Sequence, residues 1–194
     1  SFLNPASLNI RVNTLNNISV KEVVEELKQS FNSCKDKIVE TKLSKLGISL
    51  PRGTAIQKHK LFLDGSIEVQ EEGSQLLTYL LNVKRGNMVA DFCAGAGGKT
   101  LGLSAMMKNT GRIYAFDISD KRLANLKQRL KRSGASNISM QRIHNENDLK
   151  VKRLRNKFDR VLVDAPCTGL GTLRRNPDLK WRQTENALNE MVIK

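Results

Sequence analysis

The stretch "MVADFCAGAGGKT", residues 88–100, runs from an apolar strand through a turn with three glycines into a helix, and the fold depends on how it is read. Its last three residues are the Gly-Lys-Thr that closes a phosphate loop of the NTPase type. That loop also requires a glycine at position 93, where this chain carries Cys93. A second partial match is the apolar strand "RVLVD", whose final Asp164 stands where a phosphate-bound magnesium would need a carboxylate, and it keeps a nucleotide hydrolase open as an alternative. The other reading is a strand-turn-helix in which Gly95, Gly97 and Gly98 let the backbone approach a cofactor closely. Asp117, at the end of the next strand and 20 residues after Gly97, then takes the place of the carboxylate that holds ribose hydroxyls in dinucleotide folds. The turn alone does not separate nicotinamide, flavin and S-adenosylmethionine, and a tight turn that simply needs small residues would show the same glycines.

Downstream the rhythm continues. An apolar helix over 100–108 leads to the strand "RIYAFD", and a helix capped by Ser119, with Leu123, Leu126 and Leu130 inward, ends at "SGAS". Strands near "ISMQRI" and "RVLVDA" complete four alternations, which predicts a parallel sheet with right-handed crossovers. Upstream, "LNIRV" alternates like a strand, "VKEVVEELKQSF" repeats apolar residues at helical spacing, and "LPRG" breaks the chain. The predicted class is α/β, a small α+β lobe over 1–65 followed by a Rossmann-like sheet over 66–194. "GSIEVQEEGSQLLTYLLNV" opens the second part with a short strand and a helix carrying Leu76, Leu77, Leu80 and Leu81 on one side. The final "ENALNEMVIK" reads as a helix with no closing glycine, and a doubly wound sheet of four strands leaves an apolar edge uncovered, so the chain is expected to be a fragment.

Thirty-three Lys and Arg stand against 19 Asp and Glu, a net charge of +14, and the excess is local: "KRLANLKQRLKR" (121–132), "KVKRLRNK" (150–157) and "LRRNPDLKWR" (173–182). A field of that sign points to a polyanionic partner, most simply nucleic acid. No run approaches the roughly 18 apolar residues of a membrane span, and "SFLNPASLNIRVN" lacks the basic start and apolar core of a signal peptide. A cytoplasmic monomer without a membrane partner is the expectation. Cys34, Cys93 and Cys167 are odd in number and far apart, which favours free thiols over disulfides or a zinc cluster. His59 and His144 lack partner motifs, and no metal constellation is present.

At the end of the fourth strand stands "DAPCTGLGTLRRNPDLKW" (164–181), where doubly wound folds bind ligands. Together with "DFCAGAGGKT" it resembles the cofactor and catalytic motifs of the RNA (cytosine-5) methyltransferases, the family of the bacterial 16S rRNA enzyme (Sun or Fmu protein) and the NOL1/NOP2/Sun proteins. "LNIRVNT" and "IEVQEEGSQLL" resemble that family's N-terminal lobe and linking helix. The resemblance implies a class I methyltransferase domain that uses S-adenosylmethionine to methylate carbon 5 of cytosine in RNA, ribosomal RNA first. It assigns Cys93, Ala94, Gly95, Ala96, Gly97, Gly98, Lys99, Asp117 and Asp164 to the cofactor, Cys167 and Asp164 to catalysis, and Arg11, Arg174 and Arg175 to RNA. Trp181 is expected in the core, with base stacking as its other use.

Carbon 5 of cytosine is a poor nucleophile, so such enzymes add a thiolate to carbon 6 first. In DNA cytosine methyltransferases the Pro-Cys cysteine attacks. In the family resembled here it is thought to assist release while a second cysteine, in a Thr-Cys motif beyond residue 194, attacks. Both roles stay open for Cys167, with release favoured. Departures from the family pattern are Gly95, where alanine is usual, and the lack of a clean acidic match in "RIHNENDLK", where Asn145 or Asp148 stands nearest. The remaining alternative is a non-catalytic RNA-binding module that kept the fold.

Overall fold

The computed structural model describes residues 5–193. Among them Leu8–Asp164 form one compact unit, and residues 5–7 with 165–193 form a second.

The first unit begins with an antiparallel sheet in the order β2-β3-β1-β4, built from β1 (Leu8–Val12), β2 (Val39–Glu40), β3 (Gly47–Leu50) and β4 (Ile67–Val69). Helix α1 (Val20–Ser30) lies on this sheet. It starts where the sequence marks a start: the Ser19 hydroxyl accepts from the Glu22 amide and the Glu22 carboxylate accepts from the Ser19 amide, a reciprocal capping box. Val23 and Leu27 turn inward against Ile10, Val12, Ile38 and Ile48. A four-residue helix, α2 (Lys60–Leu63), precedes β4. Because β4 pairs with β1, from Ile10 opposite Val69 to Val12 opposite Ile67, the lobe's sheet is completed only after residue 65, where the sequence placed the boundary.

Helix α3 (Glu72–Leu80) corrects a sequence expectation. Its leucine side is not the buried side: Leu77 and Leu80 are 40% and 79% exposed, whereas Gln75 and Thr78 are buried. The reason is local accounting of backbone groups. The Gln75 amide donates to the carbonyls of Ile10 at 3.2 Å and Gln70 at 2.9 Å, and the Thr78 methyl lies against Gly102, so polar side chains fill this seam.

The second sheet is parallel, in the order β7-β6-β5-β8. Its strands β5 (Met88–Asp91), β6 (Arg112–Asp117), β7 (Ile138–Arg142) and β8 (Arg160–Leu162) alternate with helices α4 (Gly98–Met106), α5 (Asp120–Ser133) and α6 (Leu149–Lys152). On one face Val89, Leu101, Leu103, Ile113, Ala115 and Leu126 form a dry core. The opposite face holds Ala90, Phe116 and Ile143 against Phe92, Tyr114 and Phe158; the Phe116 ring lies 5.8 to 6.5 Å from those three, and Tyr114 and Phe158 are 5.7 Å apart. Strand order reverses between β5 and β8, so the crevice outside their carboxyl ends is the place where such sheets take ligands. These elements match the alternation read from the sequence, including the Ser119 cap and the Gly134 stop at φ 73°.

One polar cluster ties the two sheets of this unit together. Glu68 on β4 is almost fully buried and accepts from Arg129 and Arg132 of α5, each at 2.8 Å. The Asn13 amide bridges the carbonyls of Gly65 at 2.9 Å and Ser133 at 2.8 Å.

In the other unit the turn at Gly169 (φ 75°) leads to α7 (Leu179–Arg182) and α8 (Glu185–Ile193). Arg174 and Arg175 donate to the carbonyls of Pro5 at 3.3 Å and Ser7 at 2.9 Å. Trp181, expected in the core, is 79% exposed with the Lys180 ammonium 4.7 Å from its ring centre, because four-residue α7 buries none of its side chains.

Candidate active site

The glycine turn occupies the carboxyl end of β5, and every bond that shapes it can be named. The Ala94 amide donates to the Phe116 carbonyl at 2.9 Å, and the Gly95 amide donates to the Asp117 carboxylate at 2.8 Å. Gly95 (φ 57°) and Gly97 (φ 83°) both need the left-handed region, and Gly97 is the stricter of the two: a Cβ there would stand 2.1 Å from Leu126 Cδ1 of α5. Gly97 also caps α4, so the free amides at that helix start face the same crevice.

Three carboxylates surround the turn. Asp91, at the end of β5, is buried and accepts from the Thr100 hydroxyl at 2.6 Å. Asp117, at the end of β6, is buried and accepts from both Gly95 and Ser119 amides, each at 2.8 Å. Asp164, two residues past β8, pairs with the Lys99 ammonium across the point where strand order reverses. Burial raises the Asp91 carboxyl to about 6, the Thr100 bond and Lys99 acting against that and the Asp164 and Asp117 charges adding to it. The same surroundings push the Cys93 thiol up: burial first, then Asp117, Asp91 and Asp164, opposed by Arg122. Burial and the neighbouring carboxylates thus disfavour the Cys93 thiolate beside the turn.

The structure brings together Cys93, Ala94, Gly95, Ala96, Gly97, Gly98, Lys99, Asp117 and Asp164, the nine residues that the sequence grouped at a cofactor. Cys167, Arg174 and Arg175 lie in the other unit, where Cys167 is exposed.

Arg11 is the one assignment the structure overturns. It is not on a surface that RNA can reach: the side chain is buried, its Nε donates to Gln70 at 2.7 Å, and burial lowers its pKa to about 10 with Glu68 countering. The face of β1 that carries Arg11 is covered by the polar seam of Glu68, Gln70 and Gln75.

The phosphate-loop reading fails on geometry as well as on Cys93. Lys99 and Thr100, the residues that would serve a nucleotide phosphate and its magnesium, are engaged with Asp164 and Asp91.

Residues 78–194 match the model of the family described as 16S rRNA methyltransferase RsmB/F. The chain belongs to this family. It is 37% identical over 184 residues to the probable ribosomal RNA small subunit methyltransferase B of Synechocystis, covering 92% of this chain and 39% of that protein. It is 32% identical to the 25S rRNA (cytosine-C(5))-methyltransferase NSUN5 of Arabidopsis thaliana, covering 93% of this chain and 31% of the relative. The solved structure of a methyltransferase homolog protein from Pyrococcus horikoshii is 33% identical, with a TM-score of 0.76 over 96% of this chain and 56% of that one. The chain thus spans less than half the length of the curated relatives it matches. No described helix is long and apolar enough to cross a membrane.

Proposed function

We propose that this chain carries the S-adenosylmethionine-binding part of an RNA (cytosine-5) methyltransferase that acts on ribosomal RNA. The observation that supports it most is the set of carboxylates around the glycine turn, Asp91, Asp117 and Asp164, with Lys99 bonded to Asp164 and Arg122 3.9 Å from Asp117. Three carboxylates repel a triphosphate and attract a sulfonium. Family membership supports the same choice, and the named relatives act on rRNA.

Bound at this turn, S-adenosylmethionine would supply an electrophilic methyl group. The chain's own groups do the rest. Asp117 accepts ribose hydroxyls on the lone pairs that Gly95 and Ser119 leave, and Cys93, Ala94, Gly95, Ala96, Gly97, Gly98 and Lys99 line the cofactor's path. Asp164 meets the cytosine edge or the cofactor's methionine end. Cys167 is assigned to release of the methylated base, the role that the resemblance of its Pro-Cys motif favours. Arg174 and Arg175, with the basic block 150–157 and the cations of 121–132 other than Arg129 and Arg132, take RNA phosphates. The setting we assign is a monomer in the cytoplasm, with residues 1–65 as an RNA-binding lobe.

Titration calorimetry on the intact chain tests the reading. S-adenosylmethionine or its demethylated product should bind in the micromolar range, Asp117→Ala should abolish the heat, and magnesium-ATP should give none. An intact chain that binds ATP and not S-adenosylmethionine would overturn it.

A further inference from the structure

Arg129 joins the lobe to the glycine turn through a single guanidinium. Its Nε donates to Glu68 at 3.0 Å and its Nη2 to the same carboxylate at 2.8 Å, with Nη2 also 3.4 Å from the Val69 carbonyl. Its remaining nitrogen, Nη1, donates to the carbonyl of Ala96 at 3.0 Å, inside the turn. The planar fork is thus filled on both sides, and no other residue reproduces it: lysine has one nitrogen and no fork. One helical turn earlier on α5, Leu126 packs under Gly97. The same helix face therefore supports the turn twice, once by packing and once by charge.

Arg132 provides an internal contrast. It binds the other oxygen of Glu68 at 2.8 Å and stacks its guanidinium 4.0 Å from the Phe62 ring centre, and its described bonds reach no residue of the turn. Both arginines hold the lobe to α5. Only Arg129 extends that hold to the backbone of residues 95–98.

We infer that Arg129 is a positioning residue of the cofactor site, fixing the Ala96 carbonyl from the β4 side so that the turn is already shaped before a cofactor arrives. The inference rests on the reading of the turn as the S-adenosylmethionine site. Its chemistry is preorganisation: a turn that must be ordered on binding loses affinity by the cost of ordering it. Arg11, buried and bonded to Gln70, adds positive charge nearby, and among the described residues Glu68 is the one carboxylate bonded to Arg129.

The experiment compares Arg129→Lys with Arg132→Gln in the intact chain, by calorimetry with S-adenosylmethionine, by thermal melting, and by hydrogen exchange of the peptide covering residues 93–99 without cofactor. Arg129→Lys should weaken binding by about tenfold, equivalent to about 1.4 kcal/mol, and should speed exchange in 93–99. Arg132→Gln should lower the melting temperature while leaving affinity within about twofold and exchange in 93–99 unchanged. Equal affinity in wild type and Arg129→Lys, or equal weakening by Arg132→Gln, would overturn the positioning role and leave the cofactor assignment standing. Absence of binding by the wild type would overturn both.

Discussion

Asp91→Asn isolates a buried acid whose titration the structure makes calculable. The Asp91 carboxyl is about 6 in the folded chain against an ordinary 3.8. A shift of about 2 units at roughly 1.4 kcal/mol each amounts to about 3 kcal/mol. The sign follows from which state holds the proton: between about pH 4 and pH 6 the folded chain keeps it and the unfolded chain has lost it, so stability falls as pH rises through that window and is level above it. Asparagine keeps an acceptor for the Thr100 hydroxyl and carries no charge to bury. Urea unfolding of both proteins at about pH 4.5 and about pH 7.5 gives a difference from which every other titrating group cancels. The variant should gain about 2 kcal/mol on the wild type between those two values, less than the full effect of about 3, because Asp91 in the unfolded chain is already largely ionised at the lower one. A difference that stays flat, or that moves in favour of the wild type as pH rises, would refute the account and put the Lys99 attraction above the cost of burial.

Other consequences are directly measurable. Gly97→Ala places a methyl 2.1 Å from Leu126 Cδ1 at φ 83° and should cost about 2 to 4 kcal/mol in urea unfolding; an unchanged midpoint would show that α5 yields freely. RNA binding, followed by filter retention, should weaken steeply between about 50 and 200 mM salt because Lys and Arg carry it; a flat salt response would point away from phosphate contacts. The chain has one tryptophan, Trp181, so its emission should be red-shifted and readily quenched by acrylamide, as 79% exposure requires; protected emission would place the ring in a core.

What could be read from the sequence was what is locally determined. The Ser119 cap with its Gly134 stop and the alternation from β5 to β8 are encoded within a few residues, and they form as expected. The turn was legible for the same reason, since positive φ at Gly95 and Gly97 needs residues of that kind. The side of α3 that is buried was not legible, because Gln75 is drawn inward by the Ile10 carbonyl, 65 positions away. Arg11 and Arg129 share that difficulty: nothing near either residue announces Gln70 or Glu68 as a partner, and a basic residue in a basic chain reads as surface. Asp91 was placed at the strand end but given no role, since its raised pKa arises from burial, with the charges of the distant Asp164 and Asp117 adding to it.

Glu68, one carboxylate shared between two guanidiniums, gives the history of this region a direction. A lineage that loses Arg132 first keeps a matched pair and can later revise the rest. One that loses Glu68 first strands two cations in a buried place, with a third, Arg11, within electrostatic reach, and few single changes could follow without harm. The three positions are therefore expected to show epistasis, with the glutamate substituted last, and swapped fragments between relatives should work only when β4 and α5 travel together.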